Sequence, residues 1–147
     1  MIYTELDDMP QVPENLIYCD PDEVRKKHPN VWRDVQTNVY TQHEVTDELT
    51  DFLKHYLGKN VKVRYQVIEK DIPIHCDYNR TSAINYLIRE GGDKVLTRWY
   101  ENDRVTQKYE MHIPQFTWHK INTSIYHGVH GIVDKRLALT VSLYDHV

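Results

Sequence analysis

The second half of the chain consists of short segments in which apolar and polar residues alternate, and this pattern constrains the fold most. A period of two is typical of strands that have one buried face. Turn residues at 91–93 and 101–103 separate some of these segments. The pattern predicts eight strands, at 61–69, 72–77, 82–89, 94–101, 104–112, 116–121, 125–129 and 136–144. Eight short strands favour a double-stranded β-helix, or jelly roll, in which two sheets face each other.

The segment before these strands predicts one amphipathic helix. Residues 41–44, Thr-Gln-His-Glu, have the spacing of a capping box, and Gly58 supplies a stop signal. Between these signals apolar residues recur at helical spacing, at Val45, Leu49, Phe52, Leu53, Tyr56 and Leu57. The predicted helix over 41–57 should therefore pack against one side of a sheet.

Residues 1–36 contain four of the six prolines, which leaves little room for regular structure. Residues 16–19 are interpreted as a short edge strand, and Asp20 followed by Pro21 as the start of a short helix. The expected fold is therefore mainly β, a cupin-like jelly-roll barrel over about 61–144 with one or two supporting N-terminal helices. The whole chain, 1–147, is expected to form a single domain.

Charge and cysteine content argue against several classes of protein. A net charge of −4 at pH 7 without a cluster of Lys and Arg disfavours nucleic acid as a partner. Two cysteines, Cys19 and Cys76, are too few for a disulfide framework, and we expect free thiols in a cytoplasmic protein. No apolar run approaches the roughly 20 residues that span a membrane, and the first residues lack the features of a secretory signal. None of these features predicts an oligomeric state.

His75 and Asp77 are the first sign of a functional site. Residues two apart in a strand point to the same side, so both side chains can reach one point while Cys76 points away. An imidazole beside a carboxylate supplies two of the three ligands of a facial triad, which binds Fe(II) and leaves positions open for a co-substrate and O2. By itself, however, a His-x-Asp pair is more often a hydrogen-bonded pair in a loop.

The second sign is a run that begins at His127 and continues to Arg136 and Thr140. His127 would lie on one strand, and after a short turn Arg136 and Thr140 would lie on one face of the next strand. This arrangement places a cation and a hydroxyl beside a third metal ligand. An arginine inside a barrel needs an anion, and a dicarboxylate that reaches from the metal to Arg136 would supply one. His119 and His130 are alternatives to His127. His130 should leave the strand on the opposite side, and His119 is too distant for the same hairpin, which makes it the second choice.

The region 61–144 resembles the iron(II)- and 2-oxoglutarate-dependent oxygenases, and within them the prolyl-hydroxylase-like branch. The pair His75-x-Asp77 is similar to the first two metal ligands of that family. The segment 83–87, with the glycines at 91–92, is similar to the strand and turn that follow those ligands in the family.

The resemblance extends to the end of the barrel. His127, then Arg136 nine residues later and Thr140 four beyond, are similar to the third ligand and the co-substrate clamp of the family. Tyr65 lies ten residues before the first ligand, as does a co-substrate-contacting tyrosine in some prolyl hydroxylases. Asn85 stands where those enzymes often have a tyrosine. The resemblance therefore implies that Tyr65, Asn85, Arg136 and Thr140 bind 2-oxoglutarate.

Such a protein would be an oxidoreductase, a dioxygenase that uses Fe(II), 2-oxoglutarate and O2 to hydroxylate its substrate. The prolyl-hydroxylase resemblance implies a peptide or protein substrate that contains proline, and a free small molecule is the main alternative. Aromatic residues could line a substrate groove, namely Trp99, Tyr100, Trp118 and Tyr126. Two other classes of function stay open, a non-catalytic jelly-roll binding module and another cupin-type metalloenzyme that acts on a small molecule.

Overall fold

The computed structural model of the protein describes residues 1–28, 30–33, 39–58, 62–77 and 81–143. Two antiparallel sheets and two α-helices, α1 (Pro21–Lys27) and α2 (Asp47–Leu57), make up this part of the chain, and a 3₁₀ turn spans Glu14–Leu16. The strands are β1 (Tyr3–Glu5), β2 (Asn30–Arg33), β3 (Tyr40–Glu44), β4 (Lys62–Ile68), β5 (Ile72–His75), β6 (Ser82–Arg89), β7 (Leu96–Tyr100), β8 (Gln107–Met111), β9 (Trp118–Asn122), β10 (His127–His130) and β11 (Arg136–Leu143).

The strands form a jelly roll of two facing sheets, as the sequence predicted. The larger sheet has the order β1-β9-β6-β11-β4-β3-β2, and the smaller has the order β5-β10-β7-β8. From β4 onward the chain passes repeatedly between the two sheets, so strands that are distant in sequence become neighbours. Residues from β5 and β10 are thereby placed opposite residues from β6 and β11.

All eight predicted strands are confirmed as β4 to β11, and their ends differ from the prediction by at most three residues. The predicted limits of the barrel, residues 61 and 144, lie outside the described residues. The short helix that was predicted to start at Pro21 is also confirmed. Asp20 caps it, because its carboxylate accepts a hydrogen bond from the backbone N–H of Asp22 at 2.9 Å.

Two predictions for the N-terminal part are wrong. The helix predicted over 41–57 begins at Asp47, because Thr46 is the residue that caps it, through a hydrogen bond from Leu49 N at 3.2 Å. The preceding residues form β3, where Thr41 and His43 are buried and alternate with more exposed neighbours. The edge strand predicted at 16–19 is absent, since a 3₁₀ turn ends at Leu16 and residues 17–19 have no regular structure.

The two faces of the larger sheet have different roles. On β11, residues Leu137, Leu139 and Val141 point outward and join the main hydrophobic core, which includes Leu49 and Leu53 of α2. The helix therefore supports the larger sheet, as predicted. The alternate residues of β11 point inward to the space between the sheets, where Ala138 packs with Leu87 of β6, Ile113 and Met111 of β8. In the described part of the chain, no helix is long and apolar enough to cross a membrane.

Candidate metal centre

The structure brings His75, Asp77 and His127 together at one end of the barrel. His75 ends β5 and pairs with His127, which begins β10. The ligand atoms of the three side chains lie within 4.8 Å of one another, and His75 Nε2 is 3.6 Å from Asp77 Oδ1. With metal–ligand bonds of about 2.1 Å, two ligands at right angles lie about 3 Å apart. The three side chains therefore fit one metal ion after small adjustments.

Backbone carbonyls fix the orientation of both histidines. Nδ1 of His75 donates a hydrogen bond to the carbonyl oxygen of Pro73 at 2.8 Å, and Nδ1 of His127 donates to that of Ile125 at 2.7 Å. Because a carbonyl can only accept, the proton of each neutral ring is on Nδ1 and the lone pair is on Nε2. Hydrogen bonds of this kind set the tautomer of metal-binding histidines. Both rings are thus prepared to bind a metal through Nε2.

One side of this ligand group is open to solvent. His127 is only 6% exposed and 16% of the Asp77 side chain is exposed, whereas 42% of the His75 side chain is exposed. A metal ion held here would have three protein ligands and access to further ligands from solution.

The two alternative histidines lie elsewhere. His130 points away from His127 and its Nε2 is hydrogen-bonded to the hydroxyl of Tyr100 at 2.9 Å, as the alternation of the strand predicted. His119 is buried on β9 in the larger sheet and does not belong to the ligand group.

Arg136 is a buried cation on the inner face of the larger sheet. It is 6% exposed, and its guanidinium donates one hydrogen bond, to the carbonyl oxygen of Glu90 at 3.0 Å. Burial lowers the pKa of Arg136 to about 10, because the charged form loses hydration. Within the described residues, no carboxylate forms an ion pair with Arg136.

Thr140 and Asn85 share the inner face with Arg136. Thr140 is four residues after Arg136 on β11, so both side chains point to the same side, and Thr140 is 4% exposed. Asn85 on β6 is directly paired with Thr140 across the two strands. Asn85 Oδ1 is buried and has no hydrogen-bond partner in the described structure. Three of the predicted clamp residues therefore share one face, Thr140 and Asn85 as direct neighbours, and one polar atom among them is unsatisfied.

The structure does not bring Tyr65 to this site. Tyr65 pairs with Leu139 of β11, which points outward, so its ring lies in the core under the helices. Its hydroxyl accepts a hydrogen bond from the backbone N–H of Tyr18 at 3.1 Å. The inward residues of β4 are its neighbours Arg64 and Gln66, so the spacing that suggested a co-substrate contact selected the wrong face of the strand.

His119 was predicted only as the second choice for the third metal ligand; it is outside the ligand group, yet it faces the same interior. It pairs with Asn85 across β6 and β9, and it is 2% exposed. Burial lowers the pKa of His119 to about 4, and the nearby charge of Arg136 contributes. The sequence contained a signal for this orientation. Adjacent residues of a strand point to opposite faces, and Trp118, next to His119, belongs to the outer core.

The aromatic residues for which a groove role was considered beside a core role are mostly unavailable to a substrate. Trp99 is fully buried beside His127, Tyr100 is 8% exposed, and Trp118 is 2% exposed in the outer core. Tyr126 is partly exposed, and the guanidinium of Arg104 lies 4.5 Å from its ring centroid.

Comparisons with known proteins show the fold. No family model matches the sequence, and no curated protein matches it. An oxidoreductase of the 2OG-Fe(II) oxygenase family from Burkholderia pseudomallei is 12% identical, with a TM-score of 0.54 over 85% of this chain and 76% of that one. Hydroxypropylphosphonic acid epoxidase from S. wedmorenis is 10% identical, with a TM-score of 0.51 over 80% and 56%. The chain thus spans little more than half of the epoxidase. At these identities the likeness supports the jelly-roll fold.

Proposed function

We propose that the protein is an oxygenase that uses Fe(II), 2-oxoglutarate and O2 to hydroxylate a substrate. Two features of the barrel support this proposal, the ligand group of His75, Asp77 and His127 and the buried Arg136. Arg136 carries the proposal, because it distinguishes an enzyme that binds a dicarboxylate from one that needs only a metal.

The donor set fits Fe(II). Two imidazoles and one carboxylate with open coordination positions are typical of non-haem Fe(II) oxygenases. The three side chains would hold the ion through His75 Nε2, His127 Nε2 and an oxygen of Asp77, and the two backbone carbonyls would keep the rings in place. The exposed side of His75 leaves room for a co-substrate and for O2.

Arg136 fits a carboxylate ligand. Its pKa of about 10 keeps it charged near neutral pH; the Glu90 carboxylate stabilises this charge from a distance, but no carboxylate in the described chain lies within ion-pair distance, and a buried charge without a close partner is destabilising. Among the described residues, the Arg136 guanidinium donates only to the carbonyl oxygen of Glu90, which leaves other N–H groups to bind an anion. A carboxylate that pairs with Arg136 would offset the cost of its burial.

2-Oxoglutarate is the dicarboxylate that joins the two features. Its keto-acid end would bind at the metal, and its other carboxylate would bind Arg136, on the inner face that also carries the paired residues Thr140 and Asn85. Bound Fe(II) and 2-oxoglutarate supply the activation of O2, with succinate and carbon dioxide as by-products of the hydroxylation. The chain's own residues orient these groups, and the buried ring of Trp99 beside His127 keeps water from that side.

We also propose that the substrate is a peptide or protein segment that contains proline. The support is the exposure of His75, which places the open side of the ligand group where an extended segment can reach it. The net charge of −4 disfavours a nucleic acid. A free amino acid or another small molecule is the alternative that an assay has to exclude.

Succinate release should therefore rise when proline-containing peptides are added to the protein with Fe(II), 2-oxoglutarate and O2. The panel should include the same peptides with alanine in place of proline, free amino acids and oligonucleotides, with the His75→Ala variant as the inactive control. Stimulation by the proline peptides alone supports the peptide proposal. Stimulation by free amino acids or by DNA, with none by peptides, would refute it and leave the oxygenase proposal intact.

No succinate under any of these conditions, from a protein that binds Fe(II), would argue against the oxygenase. A metal-dependent reaction without 2-oxoglutarate would then favour another cupin-type metalloenzyme. A protein that binds neither Fe(II) nor 2-oxoglutarate would instead favour a non-catalytic jelly-roll binding module.

A further inference from the structure

Three polar side chains form a row across the inner face of the larger sheet. His119 on β9 pairs with Asn85 on β6, and Asn85 pairs with Thr140 on β11. Directly paired residues of antiparallel strands lie on the same face about 5 Å apart. Arg136 is on that face as well, two inward positions along β11 from Thr140. A polar row inside a barrel is costly unless its groups have hydrogen-bond partners.

The ring of His119 is held in a defined position. It stacks on the ring of Tyr3, with centroids 5.5 Å apart and an interplanar angle of 24°. Nδ1 donates a hydrogen bond to the carbonyl oxygen of Thr117 at 3.2 Å. The proton of the neutral ring is therefore on Nδ1, and Nε2 carries a lone pair. The structure gives Nε2 no hydrogen-bond partner in the part of the chain that it describes.

Asn85 Oδ1 is thus a buried acceptor without a hydrogen-bond partner, and the neighbouring His119 Nε2 makes no hydrogen bond within the described residues. An unsatisfied buried polar atom is destabilising, and native proteins rarely keep one without a reason. Rotation of the Asn85 amide can present its N–H groups to the same space. The imidazole can become a donor at Nε2 and keep its Nδ1 hydrogen bond to Thr117 only by taking up a proton. Both residues can therefore change from acceptor to donor when an anion binds between them and Arg136.

The charges around His119 favour this change. The titratable and charged groups that face His119 are Arg136 on β11 and Tyr3 and Glu5 on β1; Tyr109 on β8 acts electrostatically on Tyr3. Burial and the charge of Arg136 lower the pKa of His119 to about 4, so the ring is neutral near pH 7 in the free protein. A bound carboxylate would oppose the charge of Arg136 and stabilise the imidazolium. Its arrival should raise the pKa of His119.

We propose that His119 is a co-substrate-binding residue, which takes up a proton when a dicarboxylate binds at Arg136 and then donates a hydrogen bond from Nε2 to that carboxylate. Asn85 completes the same pocket with its side-chain N–H. This proposal rests on the proposed function, because it assigns the residues that bind 2-oxoglutarate. It explains why a histidine and an asparagine occupy adjacent inward positions next to a buried arginine.

The test is the affinity of the Fe(II)-loaded protein for 2-oxoglutarate, measured anaerobically by calorimetry from pH 6 to pH 8 with the metal saturating. The pKa of His119 should be low in the free protein and higher in the complex. Wild-type affinity for 2-oxoglutarate should therefore increase as pH falls, by at most about tenfold per pH unit for one proton. His119→Leu should weaken binding about 10- to 100-fold at pH 6, because it removes a hydrogen bond to a charged group. His119→Gln, which donates without titrating, should retain part of the affinity and lose the pH dependence.

His130→Gln is the matched control, since His130 is hydrogen-bonded to Tyr100 and points away from the ligand group. It should leave both the affinity and its pH dependence unchanged. Metal affinity should be equal in all variants, which separates a pocket residue from a merely structural one. If wild type binds 2-oxoglutarate and His119→Leu or His119→Gln shows the same affinity and pH dependence, the role of His119 is wrong. If wild type does not bind 2-oxoglutarate, the proposed function itself fails.

Discussion

His127→Ala should weaken Fe(II) binding by at least about 100-fold. This loss exceeds the usual effect of removing a residue that only supports a metal ligand. The reason is that two remaining ligands, His75 and Asp77, rarely hold a labile divalent ion. His127 is also the most buried of the three, so the alanine variant leaves a gap that no other described ligand fills. Metal content after anaerobic loading, measured by equilibrium dialysis, checks this prediction.

His130→Ala is the control for the loss of a nearby histidine, and it should bind Fe(II) with wild-type stoichiometry. His119→Ala should also retain the metal, because His119 lies outside the ligand group. If His127→Ala retains stoichiometric iron and His119→Ala loses it, the third ligand is His119 and the assignment from the geometry is wrong.

Arg136→Met should weaken 2-oxoglutarate binding by about 2–5 kcal/mol while Fe(II) binding is retained. The methionine keeps much of the side-chain volume but removes the charge that pairs with the carboxylate. Lysine should restore little of the affinity, because a point charge cannot bind both carboxylate oxygens as a guanidinium does. Calorimetry with the Fe(II)-loaded protein in the absence of O2 measures the difference.

Arg98→Met is the matched control for this variant, since Arg98 forms an ion pair with Glu110 on the smaller sheet. It should leave 2-oxoglutarate affinity unchanged. Without ligand, Arg136→Met should unfold at the same temperature as wild type or higher, because it removes a buried charge that no carboxylate of the described chain pairs with at ion-pair distance. Equal 2-oxoglutarate affinity in wild type and Arg136→Met would show that Arg136 does not bind the co-substrate.

The ligand group could be predicted from the sequence because strand periodicity determines its geometry. His75 and Asp77 are two residues apart, so any strand or extended segment places them on one side. His130 could be set aside for the same reason, since it is an odd number of residues from His127. The alternation in 136–143 likewise placed Arg136 and Thr140 on one face. These inferences depend on local geometry alone.

Tyr65 shows where a spacing rule fails. The distance of ten residues to His75 was taken from a resemblance, whereas the local alternation indicates the opposite face. Val63, Tyr65 and Val67 are apolar or aromatic, and they alternate with the polar Arg64 and Gln66. The apolar set packs in the core under the helices. The choice between the two faces therefore depended on the position of the helices, which the strand pattern did not reveal.

The N-terminal strands illustrate a second limit. A Thr-Gln-His-Glu sequence satisfies the spacing of a capping box, but in the structure those residues form β3, which pairs with β4. Pairing across the sheet outweighs a local helix-start signal whose individual contribution is about 1 kcal/mol. β1 was missed because three residues carry too little periodicity, although its pairing with β9 brings Tyr3 to His119.

The most direct test of the proposed function is an anaerobic titration of the Fe(II)-loaded protein with 2-oxoglutarate, followed by visible absorption. A keto acid that chelates Fe(II) gives a metal-to-ligand charge-transfer band. We expect this band to appear and to saturate at one equivalent per protein. It should be absent in His127→Ala and shifted to higher ligand concentrations in Arg136→Met. A wild-type protein that binds Fe(II) but gives no band at saturating 2-oxoglutarate would contradict the assignment of the barrel as a 2-oxoglutarate oxygenase.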